Sequence, residues 1–291
     1  MHHDVYELRK FYYTRALGRV VQRILRDRLT ALWPPEQSQA MTVVGYGFAA
    51  PLLRPYLTRA RRVSALMPGS QGVMAWPAGL PNCSVLCEET VWPLDTGSVD
   101  RLVLLHALET ADHPTLLMEE ALRVLGPGGR MLIMTPNRAG LWARSETTPF
   151  GFGRSFTAGQ LEAQARAAGF VPERTGAALY IPPSDRRFWL RSAQMWERTG
   201  GRISQVLVAG VVLTEFSKQV QAPVGRGVDR AAGAVVLEVA QQLDQLGQMA
   251  RAFAQHPAGQ AGGTRQRLGR QRRLRSLLRV GRLLRPAGLG A

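Results

Sequence analysis

Cysteine is nearly missing from this chain: Cys83 and Cys87 are the only two in 291 residues. They are too few for a zinc site and too close along one expected strand for a routine disulfide. Both read as reduced thiols of a cytoplasmic protein. Lysine is equally scarce, since Lys10 and Lys218 stand alone among 37 basic residues. Arginine supplies the rest, a bias that codon usage explains as readily as guanidinium chemistry. No apolar run approaches the ~18 residues of a membrane-spanning helix, and the first ten residues carry Asp4, Glu7, Arg9 and Lys10 rather than an apolar leader core. The expectation is a soluble protein without a transmembrane segment.

Acidic residues are absent from one stretch in particular. Between Arg265 and Arg285 lie nine arginines and no acid, so nine of the sixteen net positive charges sit there and the body is only mildly basic. Leu274, Leu277, Leu278 and Leu284 fall on one helical face of that tail. Arg265–Arg285 therefore reads either as a basic amphipathic helix for anionic lipid or RNA, or as a disordered basic extension.

What is present begins with Thr42-Val43-Val44-Gly45-Tyr46-Gly47-Phe48-Ala49-Ala50-Pro51. An apolar run empties into two glycines and meets a new apolar segment: a buried strand, a tight turn and a helix start. Bare glycines at such a turn take φ > 0 and let a ligand approach the backbone, although the same pattern also serves plain close packing. With 45% hydrophobic composition the chain can bury a sizeable core around it.

Upstream, Asp4 to Trp33 carries apolar residues at helical spacing, ending at Pro34-Pro35. Within it Phe11-Tyr12-Tyr13 serves either the core or a ligand lid. Downstream the pattern predicts a helix over 52–60 and strands at 62–67, 82–87, 99–106 and 130–135, with a helix from about Pro114 to Leu125 stopped by Gly126-Pro127-Gly128-Gly129. A helix at 157–168, a strand at 170–180, an inserted helix at 185–199 and a last strand at 205–220 follow, the final two separated by Gly200-Gly201. Strands alternating with helices predict an α/β fold, a doubly wound, mostly parallel sheet covered on both faces. Ligands of such sheets bind at the carboxyl ends of the strands.

Two further segments sharpen the reading. Pro93-Leu94-Asp95-Thr96-Gly97-Ser98-Val99-Asp100 leads into the fourth strand, and Glu119-Glu120-Ala121-Leu122-Arg123-Val124-Leu125-Gly126-Pro127-Gly128-Gly129-Arg130 leads into the fifth. Following a Gly-x-Gly turn at this spacing, they resemble the class I S-adenosylmethionine-dependent methyltransferases of the small type 11 group, over roughly Thr42 to Val220. Met67-Pro68, Gly72, Trp76-Pro77, Pro136-Asn137-Arg138, Trp142-Ala143-Arg144 and Thr148-Pro149-Phe150-Gly151 with Gly153-Arg154 resemble a bacterial subgroup of such proteins.

The resemblance implies a Rossmann-like domain at 36–222, preceded by an N-terminal helix at 1–35. A helical extension at 223–256 and a linker with the Arg-rich tail at 257–291 complete the expected organisation. It implies S-adenosyl-L-methionine as cofactor, with Gly45, Tyr46, Gly47 and Phe48 against its methionine and ribose portions. The family's acid at the end of strand two, which accepts the ribose hydroxyls, is replaced here by Leu66-Met67-Pro68, so Met67 and Pro68 would pack on the adenosine instead. Glu88, or its neighbour Glu89, stands where the adenine amino group is bound; the other reading of both is a solvated strand end. His106, at the end of strand four, would face the transferred methyl group or simply sit beside the cofactor.

Methyl transfer from a sulfonium is an in-line displacement that requires positioning and exclusion of water, without an obligatory acid or base. The loop carrying Trp142, Arg144, Phe150, Phe152 and Arg154 is the expected substrate lid, with Tyr12 and Tyr13 joining it. Arg144 and Arg154 would grip a carboxylate or phosphate, or else tie the loop to the body. A small-molecule acceptor is the expected partner. A binding protein that keeps the fold without catalysis, and an RNA-associated methyltransferase using the tail, remain the alternatives.

Overall fold

The structure, a computed structural model, describes residues 4–203 and 209–218. The extension at 223–256 and the tail at 257–291, with the lipid or RNA contact expected of Arg265–Arg285, lie outside the described residues. In chain order the elements are α1 (Val5–Arg9), a π-helical turn (Lys10–Thr14), α2 (Ala16–Leu32), β1 (Thr42–Gly47), α3 (Ala50–Leu53), β2 (Arg62–Pro68) and β3 (Ser84–Cys87). They continue with β4 (Val99–Leu105), α4 (Pro114–Val124), β5 (Leu125–Pro136), α5 (Ala158–Ala167), β6 (Phe170–Ala178), α6 (Arg187–Ile203) and β7 (Val211–Lys218).

Seven strands form one sheet in the order β3-β2-β1-β4-β5-β7-β6. The first five pair in parallel, while β7 runs antiparallel between β5 and β6. Alternate residues of the inner strands feed opposite layers, as a sheet buried on both faces requires. Val43, Ala65, Val103 and Leu105 pack with α2 and α3, and Val44, Leu66, Leu102 and Leu104 with α4 and α5. The strand order reverses between β1 and β4, and their register sets Gly47 beside Leu105. The crevice where such sheets take ligands opens there, at the strands' carboxyl ends.

Four expected elements differ. The N-terminal helix expected as one piece is broken at Arg15, whose φ of −72° and ψ of 139° are extended. The break lets α2 fold back on the π turn, and it needs Gly18, because a Cβ there would stand 1.8 Å from the Phe11 carbonyl oxygen. The helix expected over 52–60 shrinks to α3 and a 3₁₀ turn at Arg54–Tyr56, since Pro55 can neither donate to nor fit inside an α-helix. Gly200-Gly201 does not separate helix from strand, as α6 runs through both to Ile203. A Cβ on Gly200 would meet the Tyr180 ring at 2.3 Å, so this glycine permits close packing where a chain break was expected. The final strand expected from Gln205 starts instead at Val211, with 204–208 and 219–220 outside the described residues.

Candidate active site

The two segments that lead into β4 and β5 hold each other. Glu120 Oε1 accepts the Trp92 amide at 2.7 Å, and the Arg123 guanidinium donates to the Leu94 carbonyl at 2.9 Å, the Thr96 hydroxyl at 3.0 Å and the Trp92 carbonyl at 3.3 Å. Glu120 and Arg123 are also paired directly at 2.7 Å, and that hydrogen bond holds the Glu120 carboxyl below its ordinary range. One helical turn thus ties the chain entering β4 to the helix entering β5. Trp92, fixed in this way, stacks on Tyr46 with ring centroids 4.5 Å apart. The glycine turn is thereby supported from below.

Above the turn the chain covers itself. Every residue from Thr42 to Leu53 is buried. Gly47 has φ +77°, and a Cβ there would lie 2.4 Å from the Leu105 carbonyl oxygen. Phe48 donates its amide to that same oxygen at 2.7 Å. The glycine is needed for conformation and for the close approach of β4.

Tyr12, on the π turn, is fully buried; its ring stacks on Phe48 at 5.5 Å and its hydroxyl meets His106 Nε2 at 2.7 Å. On the other side of the imidazole, His106 Nδ1 lies 3.3 Å from Glu109 Oε1, close but not aligned as a hydrogen bond. The second Glu109 oxygen accepts the Ala107 amide at 3.2 Å. Burial, aided by Glu109, raises the Tyr12 phenol well above its ordinary value. The phenol therefore keeps its proton, and the hydroxyl and Nε2 share one buried hydrogen bond. His106 itself sits at φ +50°, in the left-handed region that few side chains enter without a compensating constraint. Gln71, buried in the turn after β2, donates its amide to the His106 carbonyl and so spans from the end of β2 to the end of β4. Phe150 closes the far side, 4.7 Å from the imidazole.

The remaining expected residues divide. Met67 is buried and its sulfur receives the Met74 amide at 3.4 Å, with Pro68 following it at the strand end. Glu88 is exposed, while both Glu89 oxygens accept backbone amides ahead of α4, from Asp112 at 3.0 Å and His113 at 2.6 Å. Trp142 is buried edge-on to Phe150 and donates to the Ile181 carbonyl at 2.7 Å. Arg144 and Arg154 have exposed side chains; the Arg154 amide donates to the Glu109 carbonyl at 2.7 Å, tying the loop to the residue that flanks His106. Phe152 is half-buried beside it, and Tyr13 faces outward, away from the crevice occupied by its neighbour Tyr12. Sequence reasoning passed over Gln71, Glu109 and Trp92. Only Glu109 carried a signal, three residues beyond His106.

Sheet order, glycine turn and crevice together define a Rossmann-like methyltransferase fold. A family model described as a methyltransferase domain matches residues 57–174. An S-adenosylmethionine-dependent methyltransferase from Thermotoga maritima shares the fold with a TM-score of 0.50 and 16% identity, over 74% of this chain and 96% of its own. Methyltransferases from Mesorhizobium loti (TM-score 0.45, 13% identity, covering 65% and 95%) and Aquifex aeolicus (0.44, 13%, 73% and 97%) are also similar. No curated protein matches the chain in sequence.

S-adenosylmethionine is the cofactor of this class of domain. The turn that would touch it is buried, the Phe48 amide donates to the Leu105 carbonyl, the Tyr12 ring stacks on Phe48, and Gln71 donates to the His106 carbonyl at the end of β4.

Proposed function

We propose that this domain catalyses methyl transfer to a small-molecule hydroxyl, and that it does so after the segment from Val5 to Thr14 withdraws from the crevice. One observation carries this reading: a buried imidazole, flanked by Glu109 on its Nδ1 side, meets a hydroxyl, that of Tyr12, through its Nε2 at the carboxyl end of β4. With Tyr12 gone, the same nitrogen would take the proton of an acceptor hydroxyl, and Glu109 would hold the resulting imidazolium. Trp142 and Phe150 would exclude water from that face.

Calorimetry with S-adenosylmethionine and its demethylated product, followed by transfer of a radiolabelled methyl group to a panel of phenols and hydroxy acids, tests it. Binding of either nucleoside with labelling of an oxygen is the expected result. A folded protein that binds neither at high micromolar concentration overturns it. The buried Tyr12 ring over Phe48 and Met67 at the end of β2 favour the second reading, a methyltransferase fold used for binding without catalysis, and that calorimetric silence is its expected result.

A further inference from the structure

Outside the crevice, on the other side of the π turn, lies a cavity of about 470 Å³ whose walls come from α1, the π turn, the start of the 3₁₀ turn after α3, and the segment between β2 and β3. It contains no residue of the glycine turn and neither His106 nor Glu109. Two arginines face it, Arg9 and Arg54, and among the described residues no acid lines it. Neither arginine makes an ion pair or a side-chain hydrogen bond among the described residues, and both are exposed. The described arginines elsewhere that are tied down, such as Arg15, Arg28, Arg123 and Arg130, have carboxylates within 3.1 Å. Tyr13, Tyr6 and the buried Trp76 supply flat walls beside the two guanidiniums.

We propose that this cavity binds a small planar anion, an aromatic or similarly flat body bearing a carboxylate or a phosphate. A pair of unneutralised guanidiniums offers planar N–H forks that match either oxyanion. Aromatic side chains on the same wall accept the flat body, and the volume lies within the range of small-molecule sites. The positive field of both arginines already reaches the Tyr13 hydroxyl, drawing its acidity back against the effect of burial. An anion bound there would meet the same field. A cation would be repelled, which separates this ligand class from a sulfonium cofactor.

The test is a set of titrations of the full chain followed by saturation-transfer NMR, with benzoate, phenyl phosphate and the neutral benzamide as probes. At least one anion is expected to bind ten times or more tighter than benzamide, and the better of the two identifies the oxyanion. Arg9→Gln and Arg54→Gln should each weaken that anion about tenfold with an unchanged melting temperature, because both side chains are exposed. Ala78→Trp fills the cavity while leaving both guanidiniums in place, and should abolish binding. Equal binding of benzamide and the anions, absence of binding by both anions, or wild-type affinity in all three variants overturns the proposal. None of these titrations uses a cofactor or turnover, so their failure and the failure of methyl transfer are separate results.

Discussion

Tyr12 and His106 are 94 residues apart in the chain and 2.7 Å apart in the fold, hydroxyl to Nε2, in a wholly buried setting. That contact fastens the N-terminal segment over the crevice. Tyr12→Phe keeps the ring and leaves Nε2 without its hydrogen-bond partner, which costs about 1–3 kcal/mol in urea unfolding. Tyr12→Ala also empties the space over Phe48, costs about 3–5 kcal/mol, and should tighten calorimetric binding of S-adenosylmethionine relative to the native chain. Weaker binding in Tyr12→Ala than in the native chain would count against Tyr12 as the obstruction.

Alkaline pH should loosen the same contact. The folded state raises the Tyr12 phenol, so the unfolded chain gives up that proton first. Stability is therefore complete below the ordinary phenol value of about 10 and falls as pH rises beyond it. Tyr46 and Tyr56, also raised by burial, add to the fall. Tyr12→Phe should make stability measurably less dependent on pH above that point, as read from melting temperatures across an alkaline series.

His106→Asn tests the proposed base. Asparagine tolerates the left-handed backbone at this position, so the chain should fold, while transfer to an accepted hydroxyl should drop about 10²–10⁴-fold. Glu109→Gln should reduce transfer less and displace its pH profile, because Glu109 positions the imidazole and does not reach the acceptor. An unaltered pH profile in Glu109→Gln would reduce this residue to a support for the Ala107 amide.

At the other end of the pH scale, the Glu120 carboxyl is held low by Arg123. Its contribution is present above the ordinary carboxylate value and is lost as pH falls through the lower, folded value. Glu120→Gln should flatten that acid limb. Arg123→Lys removes the fork that reaches both Leu94 and Thr96, and should destabilise the fold at neutral pH by roughly 1–3 kcal/mol in urea.

Gly47→Ala places a Cβ 2.4 Å from a carbonyl oxygen at φ +77°. With clash and strain together, a loss of about 2 kcal/mol or more is expected. A melting temperature equal to that of the native chain would show that the β1 turn can relax away from β4.

The amino-acid sequence by itself determined the architecture. Apolar runs of strand length, a bare turn, and start and stop signals around α4 are local patterns, and they carried the strand and helix order and the methyltransferase domain. It also carried, without revealing why, the partnership of Pro93–Asp100 with Glu119–Arg130. The Arg123 guanidinium of one segment donates to the Leu94 carbonyl and the Thr96 hydroxyl of the other. Only the tertiary structure decided what lies over the turn. Tyr12, Gln71 and Glu109 come from three separate stretches, and nothing in helical spacing distinguishes a tyrosine of the core from one hydrogen-bonded to a distant histidine. Gly200 makes the same point on a smaller scale: a glycine pair signals a break locally, but contact with the Tyr180 ring makes it part of a continuous helix. Period and propensity act between neighbours in the chain, whereas burial and side-chain pairing act between neighbours in space.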